Sequence, residues 1–84
     1  MSNKVHRKQR QAVRLLDQAI KRYRNAVKSN SSYKPNTDTS VATFERYVKR
    51  LEVLADELGS EQQFWALHQK VYIRLLKHTL KLHD

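Results

Sequence analysis

The sequence predicts an all-α fold, a small three-helix bundle, on three observations. A single Gly and a single Pro in 84 residues leave little for the turn-rich connections of β structure. Apolar residues recur at alternating steps of three and four over three long stretches, the period of a helix with one buried face. Two separators divide these stretches, a polar run over residues 29–39 and the pair Gly59-Ser60. A chain of 84 residues reads as one domain, 1–84, with room for a single modest core.

The first helix is expected over about residues 5–28. Val13, Leu16, Ile20, Tyr23 and Val27 form its stripe, with Ala12, Ala19 and Ala26 beside it at seven-residue steps. Lys8 and Gln9 fall where that stripe would meet a core, so the first two turns are expected to project past the bundle or fray. Residues 29–39 carry polar turn-formers, one Pro and no periodicity, and read as a loop longer than most helix connections. Tyr33 is its expected anchor on the body of the protein.

The second helix is expected over about residues 41–58, capped by Ser40 or Asp38, with Val41, Phe44, Val48, Leu51, Ala55 and Leu58 in heptad positions and Tyr47 and Leu54 widening the stripe. Glu45 precedes Lys49 by four residues, the favourable order for a surface ion pair. Gly59 suits the left-handed residue that closes a helix, and Ser60 with Gln63 matches a capping box opening the next. A turn this tight makes the second and third helices antiparallel neighbours, with the first packed across both.

The third helix is expected over about residues 61–82, as the most buried of the three. Phe64, Leu67, Val71 and Leu75 share one side and Trp65, Tyr72 and Leu76 the adjoining one, with two packed helices expected to bury most of this arc. Ile73 and Leu80 point further round, and read as a candidate contact for a partner or for a second copy of the chain.

Charge gives the strongest functional signal. Of the net +9, residues 1–30 hold nine Lys or Arg against one acid, Asp17. Arg7, Arg10, Arg14, Lys21, Arg24 and Lys28 form a seam opposite the apolar stripe, flanked by Lys4, Lys8 and Arg22. At 1.5 Å per residue the seam extends on the order of 30 Å. Cations so spaced suit successive phosphates of a nucleic-acid backbone, exchanging counterions for protein charge without reading sequence.

Other chemistry is weakly supported. Leu54-Ala55-Asp56-Glu57-Leu58-Gly59-Ser60-Glu61 resembles the helix-turn-helix pattern. It lacks the apolar residue between Gly and Ser, and its second helix opens on Glu61-Gln62-Gln63 where base-reading side chains would sit. A tight αα-hairpin explains the same residues. Trp65 and Tyr72 have the chemistry to stack on bases, but their apolar arc places them in the core. His68, central on that arc, reads as a buried, hydrogen-bonded His. His78 and His83 are five apart, not the four of a one-face metal pair. With no Cys, no nucleophile–base set and no Gly-rich phosphate loop, no metal, cofactor or catalytic activity is expected.

The leading expectation is a non-catalytic accessory protein that binds nucleic acid or a nucleoprotein complex through the first helix. The alternative is a small inhibitor or adaptor of the kind phages and mobile elements encode, docking on an acidic protein surface or in a nucleic-acid channel. Membrane attachment is disfavoured, because the apolar face of the first helix lacks Trp and Phe. The amino-terminal residues carry no apolar run, so a cytoplasmic or nucleoid location is expected.

Overall fold

The computed structural model describes residues 3–83, and the side chains of residues 6–82. Three helices, α1 (Asn3–Ser29), α2 (Val41–Asp56) and α3 (Glu61–His83), form an up-down-up bundle, with one 3₁₀ turn at Thr37–Thr39 ahead of α2. Each helix touches both others, so the bundle is triangular in section, 49 Å long and 18 by 17 Å across.

The core follows the periodicity closely. Val13, Leu16, Ile20 and Tyr23 of α1, Phe44, Val48, Leu51, Leu54 and Ala55 of α2, and Phe64, Val71 and Leu75 of α3 are buried as one cluster. Tyr23 meets Phe44 edge to face at 5.3 Å between ring centres, and Phe44 and Phe64 are fully buried, each contributing roughly 2–3 kcal/mol by loss of apolar surface to water. α2 holds five buried side chains in 16 residues, whereas α3 buries three among its described ones. The short middle helix, and not α3, is therefore the most enclosed.

The start of α1 does not project. His6 donates from Nδ1 to the Ala55 carbonyl at 2.7 Å, Arg10 pairs with Asp56, and Gln9 is completely buried. The α1 stripe continues through an amide where an apolar residue was wanted. Burial leaves both the nitrogen and the oxygen of Gln9 without a hydrogen-bond partner, a cost that the surrounding packing offsets.

The long connection is pinned at its middle. Tyr23 donates from its hydroxyl to the Thr39 carbonyl at 2.8 Å, and the Tyr33 hydroxyl lies 3.3 Å from that of Tyr23 and 3.4 Å from Nδ1 of His78. Tyr33 thus anchors the loop as expected, joining α1, the 3₁₀ turn and α3. Burial first, and the neighbouring Tyr33 hydroxyl second, hold the Tyr23 phenol well above its ordinary range.

Ser40 caps α2, its Oγ accepting from the Thr43 N–H at 3.2 Å. α2 ends at Asp56, two residues before the expected limit, because Glu57 turns extended and its N–H closes on the Leu54 carbonyl. Leu58 thereby leaves the heptad face and is 81% exposed. Gly59 takes the left-handed conformation at φ 77°. The Ser60 hydroxyl does not form the expected capping box; it turns back to the Leu54 and Glu57 carbonyls at 2.6 and 2.9 Å, satisfying the end of α2. Glu45 and Lys49 do not pair either: the ion pairs among the described residues are Arg10–Asp56 and Lys21–Asp17. An exposed pair gains too little to hold two long side chains together.

Candidate nucleic-acid interface

Arg7, Lys8, Arg10, Arg14, Lys21, Arg22, Arg24 and Lys28 are all solvent-exposed along α1; the Lys4 side chain lies outside the described residues. The seam is displaced from its expected position. Its Arg10, Arg14, Lys21 and Arg24 lie not opposite the core stripe but to one side of it, along the groove between α1 and α2. Arg10 and Arg14 line that groove with Asp17, Glu52 and Asp56 over a floor of Val13 and Ala55. Further along, Lys21 and Arg24 face Glu45 and Glu52 over Ile20 and Val48.

The groove is therefore nearly balanced in charge, and two seam residues are engaged within the fold. Arg10 reaches Asp56 at 2.9 Å and Lys21 reaches Asp17 at 3.4 Å. The solvent side of α1 differs. Asp17 is the sole acid in residues 1–37, and it lines the α2 groove. Arg7, Arg14, Arg22 and Lys28, interleaved with exposed Gln11, Gln18 and Asn25, make a surface of amides and cations, which Asp56 of α2 reaches at one end beside Arg7, Gln11 and Arg14. Both residue types donate hydrogen bonds to phosphate oxygens.

A second cationic cluster was not singled out from the sequence. Lys70, Arg74 and Lys77 of α3 line a shallow surface with Ile73 and His78, and Lys70 also shares a groove with Arg50 of α2. The signal was present: positions 70, 74, 77 and 81 are all Lys or Arg at steps of four, three and four, one helix face. It was hidden by Glu61 and Asp84, which reduce the net charge of the last third to +2. Burial, followed by Lys81, Arg74 and Lys77, pushes the His78 imidazole below its ordinary pKa.

α3 also exposes an apolar ridge. Trp65, Tyr72, Ile73, Leu76 and Leu80 are between 41% and 58% exposed. Trp65 and Tyr72, expected in the core, lie outside it, because two neighbours cover only one arc of α3 and Phe64, Val71 and Leu75 fill that arc. Ile73 and Leu80 are on the ridge as expected. His68 is half-buried and not enclosed. Its ring stacks between Phe64 and Tyr72 at 5.9 and 6.1 Å with Trp65 edge-on at 5.5 Å. Burial lowers its pKa, partly opposed by the Ala12 backbone.

The helix-turn-helix resemblance does not extend to geometry. Arg50 and Leu54 line one groove with Gln63, Leu67 and Lys70, so α2 and α3 run antiparallel side by side as a hairpin. Among the described residues no three His, Cys, Asp or Glu side chains gather as a metal site, and no helix is long and apolar enough to cross a membrane.

The chain matches no protein-family model, no curated protein and no solved structure. Its functional reading rests on the surfaces themselves.

Proposed function

We propose that this chain is a non-catalytic accessory protein that binds nucleic acid, alone or within a nucleoprotein complex, through the solvent side of α1. The observation that carries this reading is the separation of charge across one helix. Asp17, the one acid of α1, is held on the α2 side, while Arg7, Arg14, Arg22 and Lys28 are solvent-exposed and take part in no ion pair among the described residues, with Asp56 reaching them beside Arg7 and Arg14. Like charges on a helix surface repel, and three acids, Glu45, Glu52 and Asp56, line the α1–α2 groove instead. A phosphate backbone lying along α1 would relieve the repulsion and release counterions. Affinity would come from backbone contacts with little dependence on base sequence.

Fluorescence anisotropy with a labelled duplex and a labelled single strand tests this reading. The wild type is expected to bind both, and the Arg7→Glu/Arg14→Glu/Lys28→Glu variant to bind both more weakly by about tenfold or more, with unchanged helical content. Equal binding by the two proteins would exclude the α1 face.

A second reading, an adaptor or inhibitor docking on another protein, is favoured by the α3 ridge. Five large apolar side chains on one helix face exceed what solubility calls for and match the core of a protein contact. The two readings make separable predictions: ridge substitutions such as Leu76→Lys or Leu80→Lys would abolish protein docking and leave duplex binding intact.

A further inference from the structure

We infer that the chain carries a second polyanion surface on α2 and α3, facing away from the α1 surface, so that one molecule bridges two segments of nucleic acid. This rests on the phosphate-binding reading of α1 and extends it.

The second surface is built from Arg50, Lys70, Arg74 and Lys77, which line two adjoining shallow grooves that contain no acidic residue. None of the four takes part in an ion pair among the described residues. From Lys70 to Lys81 the cations of α3 span about 16 Å of helix, a density comparable to that on α1. The α2 acids that line grooves, Glu45, Glu52 and Asp56, all lie toward α1, and none of them shares the groove of Arg50 and Lys70. The lowered pKa of His78, to which its three cationic neighbours contribute, reports the same positive field.

Placement makes the two surfaces independent. In a triangular bundle the groove between two helices faces away from the third, so the α2–α3 groove and the outer side of α1 look in opposite directions across a section of 18 by 17 Å. A straight phosphate backbone lying along α1 cannot also reach Lys70 and Arg74. Anything bound there is a second segment, of the same chemistry as the first and likewise held by its phosphates.

The test uses two duplexes, one carrying a donor dye and the other an acceptor, mixed with sub-stoichiometric protein at about 0.15 M salt, where surface charges are screened beyond roughly 8 Å. Wild type is expected to give energy transfer between duplexes. Lys70→Glu/Arg74→Glu/Lys77→Glu should still bind a single duplex within about fivefold of wild type, because the faces lie more than a Debye length apart, but should lose the transfer. The neutral set Lys70→Gln/Arg74→Gln/Lys77→Gln should show an intermediate loss, and covers the case in which the reversals disturb folding.

A second copy joined through Ile73 would also bring duplexes together. Ile73→Lys breaks such a dimer and adds a cation to the groove, so retained transfer in this variant supports bridging by one chain, and lost transfer overturns it. Transfer that persists in the α3 charge variants, or single-duplex binding by wild type without transfer, also overturns the inference and leaves the α1 reading standing. Absence of any duplex binding by wild type overturns both.

Discussion

The Arg10 guanidinium lies 2.9 Å from the Asp56 carboxylate, tying the second turn of α1 to the last turn of α2. This contact takes one cation out of the basic seam and holds an acid beside it. Asp56→Asn is therefore expected to strengthen duplex binding, by about 0.5 kcal/mol or on the order of twofold for one charge removed roughly 8 Å from a phosphate in water. Arg10→Gln should weaken binding less than Arg14→Gln does. Anisotropy titrations of the three variants check the order, and a weaker-binding Asp56→Asn would count against phosphate contact at this end of the seam.

Gln9 is fully buried with neither amide atom hydrogen-bonded. Replacing it by Met, of similar length and without polar atoms, should stabilise the fold by about 1–2 kcal/mol, since the desolvation of an unpaired amide is removed and the volume kept. Urea denaturation reads this directly as a higher midpoint at unchanged slope. A destabilised Gln9→Met would mean that the amide has partners in solution.

The two perturbed histidines give stability a pH dependence. Burial lowers the pKa of His68, and burial together with Lys81, Arg74 and Lys77 lowers that of His78. Both stay neutral in the fold at pH values where an unfolded chain, with His near 6.5, already takes up protons. Stability is therefore fully present above about pH 7 and declines as pH falls below 6.5 toward the folded-state values. Thermal melts of wild type and of His68→Gln/His78→Gln across this range should show a decline that the double variant largely loses; parallel curves would remove these residues as its cause.

Self-association through the α3 ridge should have a salt dependence opposite in sign to nucleic-acid binding. Lys70 and Lys77 lie against Ile73, so an antiparallel pairing of two ridges would set these cations against their own copies. Screening relieves that repulsion. Sedimentation at low and high salt is expected to show dimer growing with salt and absent in Ile73→Lys; monomer under both conditions would rule out Ile73 and Leu80 as a self-interface.

Much of the fold is legible in the sequence because periodic burial is a local signal. Val13, Leu16, Ile20 and Tyr23 are buried at their expected spacing, and Gly59 takes the left-handed φ expected of it. What the sequence misplaces depends on how far neighbouring helices reach. Gln9 is drawn into the core by α2 packing along the start of α1. Leu58 is released because Glu57 breaks the helix early, and Trp65 and Tyr72 stay outside because no third neighbour covers them.

The cations of α1 were legible by residue. Their electrostatic setting was not, because Glu45, Glu52 and Asp56 reach the seam only through the antiparallel packing of α2. The α3 cluster shows the converse: its face was readable from steps of four, three and four, but that Lys70 joins Arg50 of α2 in a groove lined by no acid appears only once the bundle is assembled.

The central claim, phosphate-backbone binding by the solvent side of α1, is tested most directly by the salt dependence of duplex affinity. If Arg7, Arg14, Arg22 and Lys28 each meet a phosphate, the logarithm of the binding constant should fall with the logarithm of salt at a slope of about −3.6, and Arg14→Gln alone should reduce that slope by about 1. No measurable binding at low salt, or a slope that Arg14→Gln leaves unchanged, would contradict it.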